Sequence, residues 1–574
     1  MNLSSEVPGR EALLASALLH KAPPRSTSEW WRGAMLYEVY IRSFYDTTGS
    51  GTGDIPGVIE KLDYIRDLGV DGFWLTPFYP SPQKDFGYDI TDFCAVDERY
   101  GTMDDFRRLL DECHKRDLKL LLDFVPVHSS DEHPWFVESR QSRDNPRADW
   151  YIWADGAPDG GPPNNWLSSF GGSAWSWDPR RAQYYYHPFL QGQPSFNLQK
   201  PEVMEAVVAH MRFWLDMGVD GFRLDAVQCL CCDLSLRSNP PAVSEEENGM
   251  VGGGPHNPFK RQLHLFDRDV PEAIPVIEQF RKVADSYRPE RVLIGELADM
   301  DSSRFSVKYT MANERFHAIY DFDLINGAHS VEKWVDVLRR RMRYMASGWT
   351  KNVFTNHDST RVVSNLLPQA VEAGRAADAA KALIFLQSTL LGGGILYQGD
   401  ELGLPQPQLS YDHIYDPWAK AFWPEFQGRD GVRTPLPWKQ DAPHGGFTSG
   451  DHPWLPMPDE HRPLAIDIQQ EDEHSVLNFT RWMLQWRKDQ PLTRTGRETI
   501  HDDVAAPLIC FDRCSDTDRV SFIANLGLDP LSLPVDGEPL FEDIGSNGVT
   551  WKDGAIHLEG LAFAAYRIEG GMNG

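Results

Sequence analysis

Residues 215–227 read LDMGVDGFRLDAV, and residues 65–77 read IRDLGVDGFWLTP. In each, an amphipathic stretch (EAVVAHMRFWLDMG, 205–218; VIEKLDYIRDLG, 58–69) stops at a glycine, Gly218 or Gly69, and a short unbroken apolar run follows. A glycine just past a helix takes the left-handed conformation that closes the last turn. An unbroken apolar run is what a parallel strand buried on both faces requires. The unit reads as helix, cap and buried strand, and one copy ends in an acid, Asp225.

The same grammar recurs. LLDECHKRDLKLLLDFV runs into an apolar strand at 118–125, QFRKVADSYRPE precedes RVLIGEL, and KALIFLQSTLLGG precedes GILYQGDE. With MLYEVYIRSF (35–44) as the first strand, eight strands are expected near residues 36, 73, 121, 222, 294, 320, 354 and 396. Alternation at this spacing means βα units and a parallel sheet. Eight of them predict an α/β fold, a (β/α)₈ TIM barrel. Two stretches break the rhythm. Residues 129–199, rich in aromatics, Gly and Pro, are too long for a βα loop and read as a subdomain inserted after the third strand. Residues 402–460 form an irregular excursion. The barrel is thus expected over 30–128 and 200–499, followed by an all-β, sandwich-like domain over 500–574, where RVSFIANL and FAAYRIE alternate.

The formal net charge of −28 over 574 residues repels phosphate backbones and excludes nucleic acid as a partner, but does not oppose a neutral sugar. Seven cysteines, an odd number without a regular framework, point to a reducing cytoplasm. Cys229, Cys231 and Cys232 lack the second pair or histidines of a zinc site and read as structural. ALLASALL (12–19) is too short for a signal peptide and reads as a short helix or arm within residues 1–29. No window approaches the roughly 20 apolar residues of a membrane span.

Barrel sites are built at the C-terminal ends of the strands. There stand Asp123 and His128 after strand three, Arg223 and Asp225 on strand four, Glu296 on strand five, and Asn356, His357 and Asp358 on strand seven. Glycoside cleavage needs two carboxyl groups in different protonation states. Arg223 and Asp225, two apart on one strand, point to one side, and the cation favours an ionised Asp225. Glu296 follows the apolar run VLIG, where desolvation suits a proton donor. His128 and His357 are candidates to donate hydrogen bonds to sugar hydroxyls.

DFVPVH, GFRLDAV, GEL and TNHD, in that order, resemble the region-defining motifs of the α-amylase family, glycoside hydrolase family thirteen, and the resemblance runs from about residue 30 to the end. It implies Asp225 as nucleophile, Glu296 as general acid/base and Asp358 as transition-state stabiliser, with Arg223, His128 and His357 around the cleaved glucose. DFGYD (85–89) and GRDGVRTPLPW (428–438) are similar to the α-glucosidase branch. There Asp85 and Tyr88 would wall a terminal-glucose pocket, Arg429 would pair with Asp85, and Phe170 could stack on a sugar ring. HPWFVESR…NPRADWYIWAD and EFQGRDG look closest to bacterial glucosidases that also transfer glucose to small hydroxyl acceptors. Ala226, a small residue after the nucleophile, goes in similar glucosidases with α-1,4 rather than α-1,6 linkages.

Three departures stand out. Val127 replaces the family's usual asparagine, against an amylase-type calcium ion. The loop 46–54, DTTGSGTGD, resembles a metal loop but carries Thr48 and Ser50 where Asn and Asp are usual, so Asp46 and Asp54 are expected to bind a divalent cation weakly or not at all. QPSFN (193–197) replaces QPDLN. The expected activity, requiring no cofactor, is an exo-acting, retaining α-glucosidase that also transfers glucose, acting on short oligosaccharides or disaccharides. A trehalose- or sucrose-isomerising mutase or dedicated glucosyltransferase would use the same machinery.

Overall fold

The computed structural model describes residues 29–242, 257–298, 302–326, 330–345, 348–501, 503–541 and 548–568. The stretch 12–19, expected as a short helix or arm, lies outside these.

Eight parallel strands close into a barrel: β1 (Leu36–Val39), β2 (Gly72–Leu75), β3 (Lys119–Phe124), β7 (Gly221–Leu224), β8 (Val292–Leu297), β9 (Ala318–Asp321), β10 (Thr350–Val353) and β11 (Gly394–Tyr397), the last pairing back onto β1. Each lies at a position expected from the apolar runs. The barrel strands are buried almost throughout, as helices on the outer face and side chains within require. Outer helices include α1 (Ile55–Glu60), α2 (Leu62–Asp67), α3 (Met103–Lys115), α4 (Pro201–Met217), α5 (Ala273–Asp285) and α6 (Ala376–Thr389). Gly218 caps α4 at φ 109°, and Gly69 sits at φ 90°. The single helix expected over 58–69 is instead two, broken at Lys61 (φ −106°, ψ 10°), whose ammonium lies over the rings of Tyr45 and Trp438.

Between β3 and β7 the chain forms a three-stranded antiparallel sheet of β4 (Trp153–Ala154), β5 (Trp175–Asp178) and β6 (Gln183–Tyr186), with β6 central. After the barrel come two antiparallel sheets: a five-stranded one that includes β13 (Leu508–Cys514), β14 (Arg519–Asn525) and β19 (Phe563–Arg567), and a three-stranded one. No helix among the described residues is long and apolar enough to cross a membrane.

Register levels the strand ends. Asp123 of β3 pairs with Arg223 of β7, and Glu38 of β1 with Trp74 of β2. One glycine is set by packing: a Cβ on Gly295, just before Glu296, would sit 2.7 Å from the Phe316 ring. Gly295→Ala should therefore lower stability by about 1–3 kcal/mol, read as a lower denaturant midpoint.

Candidate active site

Arg223, at the end of β7, is 1% exposed and is the centre of the site. Its Nη1 donates to Asp123 Oδ1 at 2.8 Å and Asp225 Oδ1 at 2.7 Å, and its Nη2 lies 2.6 Å from Glu296 Oε1. The guanidinium lies 4.9 Å from the centroid of the Trp74 ring, so the cation is held from one side by acids and from another by an aromatic face. Asp225 follows the last residue of β7, and Ala226 then adopts a left-handed φ of 46°. That conformation is uncommon for a residue with a Cβ, and here it turns the Ala226 N–H onto Glu296 Oε2 at 3.0 Å.

Asp358 stands in the loop after β10, since that strand ends at Val353 rather than at the 356–358 triplet. Its Oδ1 accepts from Arg433 Nη2, with Arg429 Nη1 and His357 Nε2 each at 3.4 Å. Arg429 reaches Asp85 Oδ1 at 2.8 Å, and Asp85 Oδ2 accepts from Gln193 Nε2 at 3.0 Å, so the altered QPSFN segment still delivers its glutamine. Asp416 holds Arg429 through Nη2 (2.8 Å), Nε (3.1 Å) and the backbone N–H (2.8 Å). Phe170 packs on Trp418 at 5.0 Å between centroids, under the Arg429 guanidinium. The inserted segment and the excursion after β11 thus meet at one end of the site.

Tyr88 donates to Asp123 Oδ2 at 2.8 Å and lies 2.8 Å from His357 Nε2. The ring of His357 is stacked between Tyr88 and Tyr40. Its Nδ1 is 2.6 Å from Glu38 Oε1. Burial pushes Glu38 well above the usual carboxylate range and His357 well below the usual imidazole range. The other ring nitrogen, Nε2, faces Tyr88 and, at 3.4 Å, Asp358 Oδ1. His128 is pushed down to about 4 by burial, and its Nε2 lies 3.2 Å from the Tyr88 carbonyl. A neutral ring that donates to this carbonyl through Nε2 presents Nδ1, which has no partner among the described residues, to the cleft.

The acids divide by environment. Burial pushes Glu296 up to about 8, with Arg223 opposing and Asp225 and Asp358 adding. Asp225 is pushed up to about 7 by burial, against the pull of Arg223. The adjacent cation alone would lower it, as the sequence suggested, but Arg223 is shared among three carboxyls. Burial would also raise Asp358, yet His357, Arg429 and Arg433 outweigh it and hold it well below the carboxylate range. Asp85, Tyr88, His128, Phe170, Asp225, Glu296, Asp358 and Arg429 all line one cleft of about 730 Å³, its open mouth included. Arg223 and His357 stand directly behind it.

Asp46 and Asp54 do not converge on a cation site. Asp46 accepts from the backbone N–H groups of Thr48, Gly49 and Gly51 and from the hydroxyls of Thr48 and Thr448. Asp54 caps α1 through Gly57 N–H and accepts from Thr47. Carboxylates faced by this many N–H and O–H donors do not form the oxygen shell a hard cation requires. Cys229, Cys231 and Cys232 are buried free thiols, and among the described residues no three His, Cys, Asp or Glu side chains cluster as metal ligands.

A closed βα barrel whose strand ends gather these acids around one cleft defines a glycoside-processing enzyme. The family model for the α-amylase catalytic domain matches residues 38–496, and the chain belongs to the α-amylase family. A probable α-glucosidase of Rhizobium meliloti (strain 1021) is 42% identical over 500 residues, 87% of this chain and 89% of its own. The oligo-1,6-glucosidase of Heyndrickxia coagulans is 33% identical over 562 residues, 91% and 97% of the two chains. The crystal structure of an α-glucosyl transfer enzyme, XgtA, superposes with a TM-score of 0.90 at 44% identity, over 94% of this chain and 99% of that one. The protein is accordingly a glycoside hydrolase of the glucosidase branch with glucosyl-transfer relatives.

The sequence reading missed Asp416, Arg433 and Glu38. Asp416 and Arg433 sit in or next to the GRDGVRTPLPW segment, and Glu38 is a lone acid in the otherwise apolar first strand, which was the available signal. Asp416→Asn removes the charge that orients Arg429. It should lower kcat/KM on a short α-glucoside by about 10- to 100-fold. An unchanged value would mean that Arg429 is held without it.

Proposed function

We propose that the protein is an exo-acting, retaining α-glucosidase that releases the terminal glucose of short α-glucosides or transfers it to a small hydroxyl acceptor. The observation that carries this is Arg223 bridging Asp225 and Glu296, with Nη1 2.7 Å from Asp225 Oδ1 and Nη2 2.6 Å from Glu296 Oε1. Two carboxyls held on the two nitrogens of one guanidinium favour direct attack by one of them over the wider inverting arrangement.

In this reading Asp225 attacks C1 of the terminal glucose while Glu296 gives its proton to the departing glycosidic oxygen. A glucosyl ester forms on Asp225 and the aglycone leaves as an alcohol. A water or acceptor hydroxyl then attacks C1 and yields its proton to Glu296, and the ester bond breaks to return the Asp225 carboxylate. Glu296, pushed up to about 8, holds the proton the first step spends. Asp358, ionised well below neutrality, supplies fixed negative charge for the oxocarbenium-like transition state. Asp85 and Arg429, backed by Asp416 and closed over by Phe170 and Trp418, form the end that grips the last hydroxyls and stops longer chains. Ala226 favours an α-1,4 linkage. A cytoplasmic site of action fits the free thiols.

Proton NMR of a 4-nitrophenyl α-glucoside digest, in which the released glucose has one source, tests the reading: α-glucose should appear first. Early β-glucose would sink retention, and release of maltose from longer maltooligosaccharides would sink exo action. Isomerised disaccharides as the main product from maltose would move the protein to the mutases. The pH profile follows from the acids. Glu296 must be protonated, so kcat/KM should fall as pH rises through about 8. Glu296→Gln should remove that limb and cost about 10²- to 10⁴-fold on substrates with poor leaving groups, and much less on activated aryl glucosides.

A further inference from the structure

Two polar side chains on the cleft wall have no part in the chemistry above. Arg268 is 7% exposed and lines the cleft. Its guanidinium lies over the Phe259 ring at 4.5 Å, and it makes no hydrogen bond or ion pair among the described residues. Arg268 helps to hold the neighbouring Asp267 carboxyl down, but the oxygens of the nearby acids are hydrogen-bonded by other groups. Asp267 accepts from Asn239 Nδ2 at 2.8 Å and faces His264 Nδ1 at 2.8 Å; Asp269 is engaged by Lys308 and by the Tyr309 hydroxyl. Gln228, 2% exposed, lines the same cleft, and its Oε1 is enclosed without a partner. A backbone hydrogen bond from Asp269 N–H to Gln228 O, 2.7 Å, ties the two segments together.

The other arginines at the site are neutralised: Arg223 by three carboxyls, Arg429 by Asp416 and Asp85, and Arg433 by Asp358. A largely buried guanidinium that feels Asp267 only through space and hydrogen-bonds no acid among the described residues leaves its planar fork open to a ligand, and that fork matches a carboxylate or phosphate. Arg268 and Gln228 share the cleft with Ala226 and Ala298, which flank Asp225 and Glu296 in sequence. The Asp85–Arg429 end is closed by Phe170 and Trp418, so the group that departs past Glu296 lies on the side left open. We infer that Arg268 recognises an anionic group, carboxylate or phosphate, on the leaving group or on the incoming acceptor. The inference rests on the proposed glucosidase chemistry and leaves its atom balance unchanged, since the anion is bound and not transformed.

The test compares 4-carboxyphenyl and 4-carbamoylphenyl α-glucosides, a charged and a neutral leaving group of nearly equal shape, with 4-phosphonophenyl α-glucoside as a third arm. The wild type should prefer the carboxylate over the amide by about tenfold in kcat/KM. Arg268→Met should bring that ratio to parity or below, and Arg268→Lys should keep part of it. Any general loss of activity in the variants cancels in the ratio. A larger preference for the phosphonate assigns the site to phosphate-type ligands, and a smaller one assigns it to carboxylates. A wild-type ratio at or below parity, or one unchanged in Arg268→Met, overturns the inference while leaving the glucosidase reading intact. If the wild type does not cleave the carbamoyl substrate, the glucosidase reading itself falls, and this one with it.

Discussion

The buried guanidinium of Arg223 is what lets the barrel hold its acids. Asp123, Asp225 and Glu296 would repel one another in a space with little water, and all three are drawn toward neutrality by burial. One cation with two forks facing three carboxyls offsets part of that cost and also fixes where each oxygen points. Position matters as much as charge. Asp123 and Arg223 are register partners on adjacent strands, so the pair is set by the barrel's hydrogen-bond ladder and not by flexible loops. Removing Arg223 would leave a cluster of buried carboxyls able to persist only by taking up protons, which the proposed attack by an ionised Asp225 could not tolerate.

A second arginine layer, Arg429 and Arg433, performs the complementary task at Asp358. Arg223 leaves Glu296 with its proton, whereas the outer pair, with His357, strips Asp358 of its own. The outer pair comes from the excursion after β11, not from the barrel. The protonation pattern of the site therefore depends on that excursion folding over the strand ends. Asp416, held in the same segment, couples the orientation of Arg429 to it, so placing Arg429 against Asp85 and ionising Asp358 are consequences of one docking event.

What could be read in advance follows the range of the interactions. Strands and caps are local: unbroken apolar runs and the glycines at 69 and 218 placed the barrel, and strand-end acids exposed the reacting set. The pair Arg429–Asp85 spans 344 positions and was reachable only through resemblance between motifs. Three matters lay out of reach because they are set by counting partners in space. The ionisation of Asp225 depends on Arg223 being shared three ways, which a two-residue spacing does not reveal. Glu38 reads as an oddity in an apolar strand until His357 arrives from 319 positions away. The break at Lys61 depends on aromatic faces supplied by Tyr45 and Trp438.

The loop at 46–54 is closed by hydrogen bonds onto two carboxylates, Asp46 and Asp54. A carboxylate at the head of a tight loop needs its charge compensated, and a cation is one solution. Here Thr48, the glycine N–H groups and Thr448 converge on Asp46, and Asp54 is spent on the first turn of α1. Thr448 belongs to the same excursion that carries Arg429 and Arg433, so the hydrogen bonds that close this loop also tether that excursion to the barrel. Thr48 from the loop and Thr448 from the excursion donate to the two oxygens of one carboxylate, Asp46, which joins the loop to the segment that carries Arg429 and Arg433.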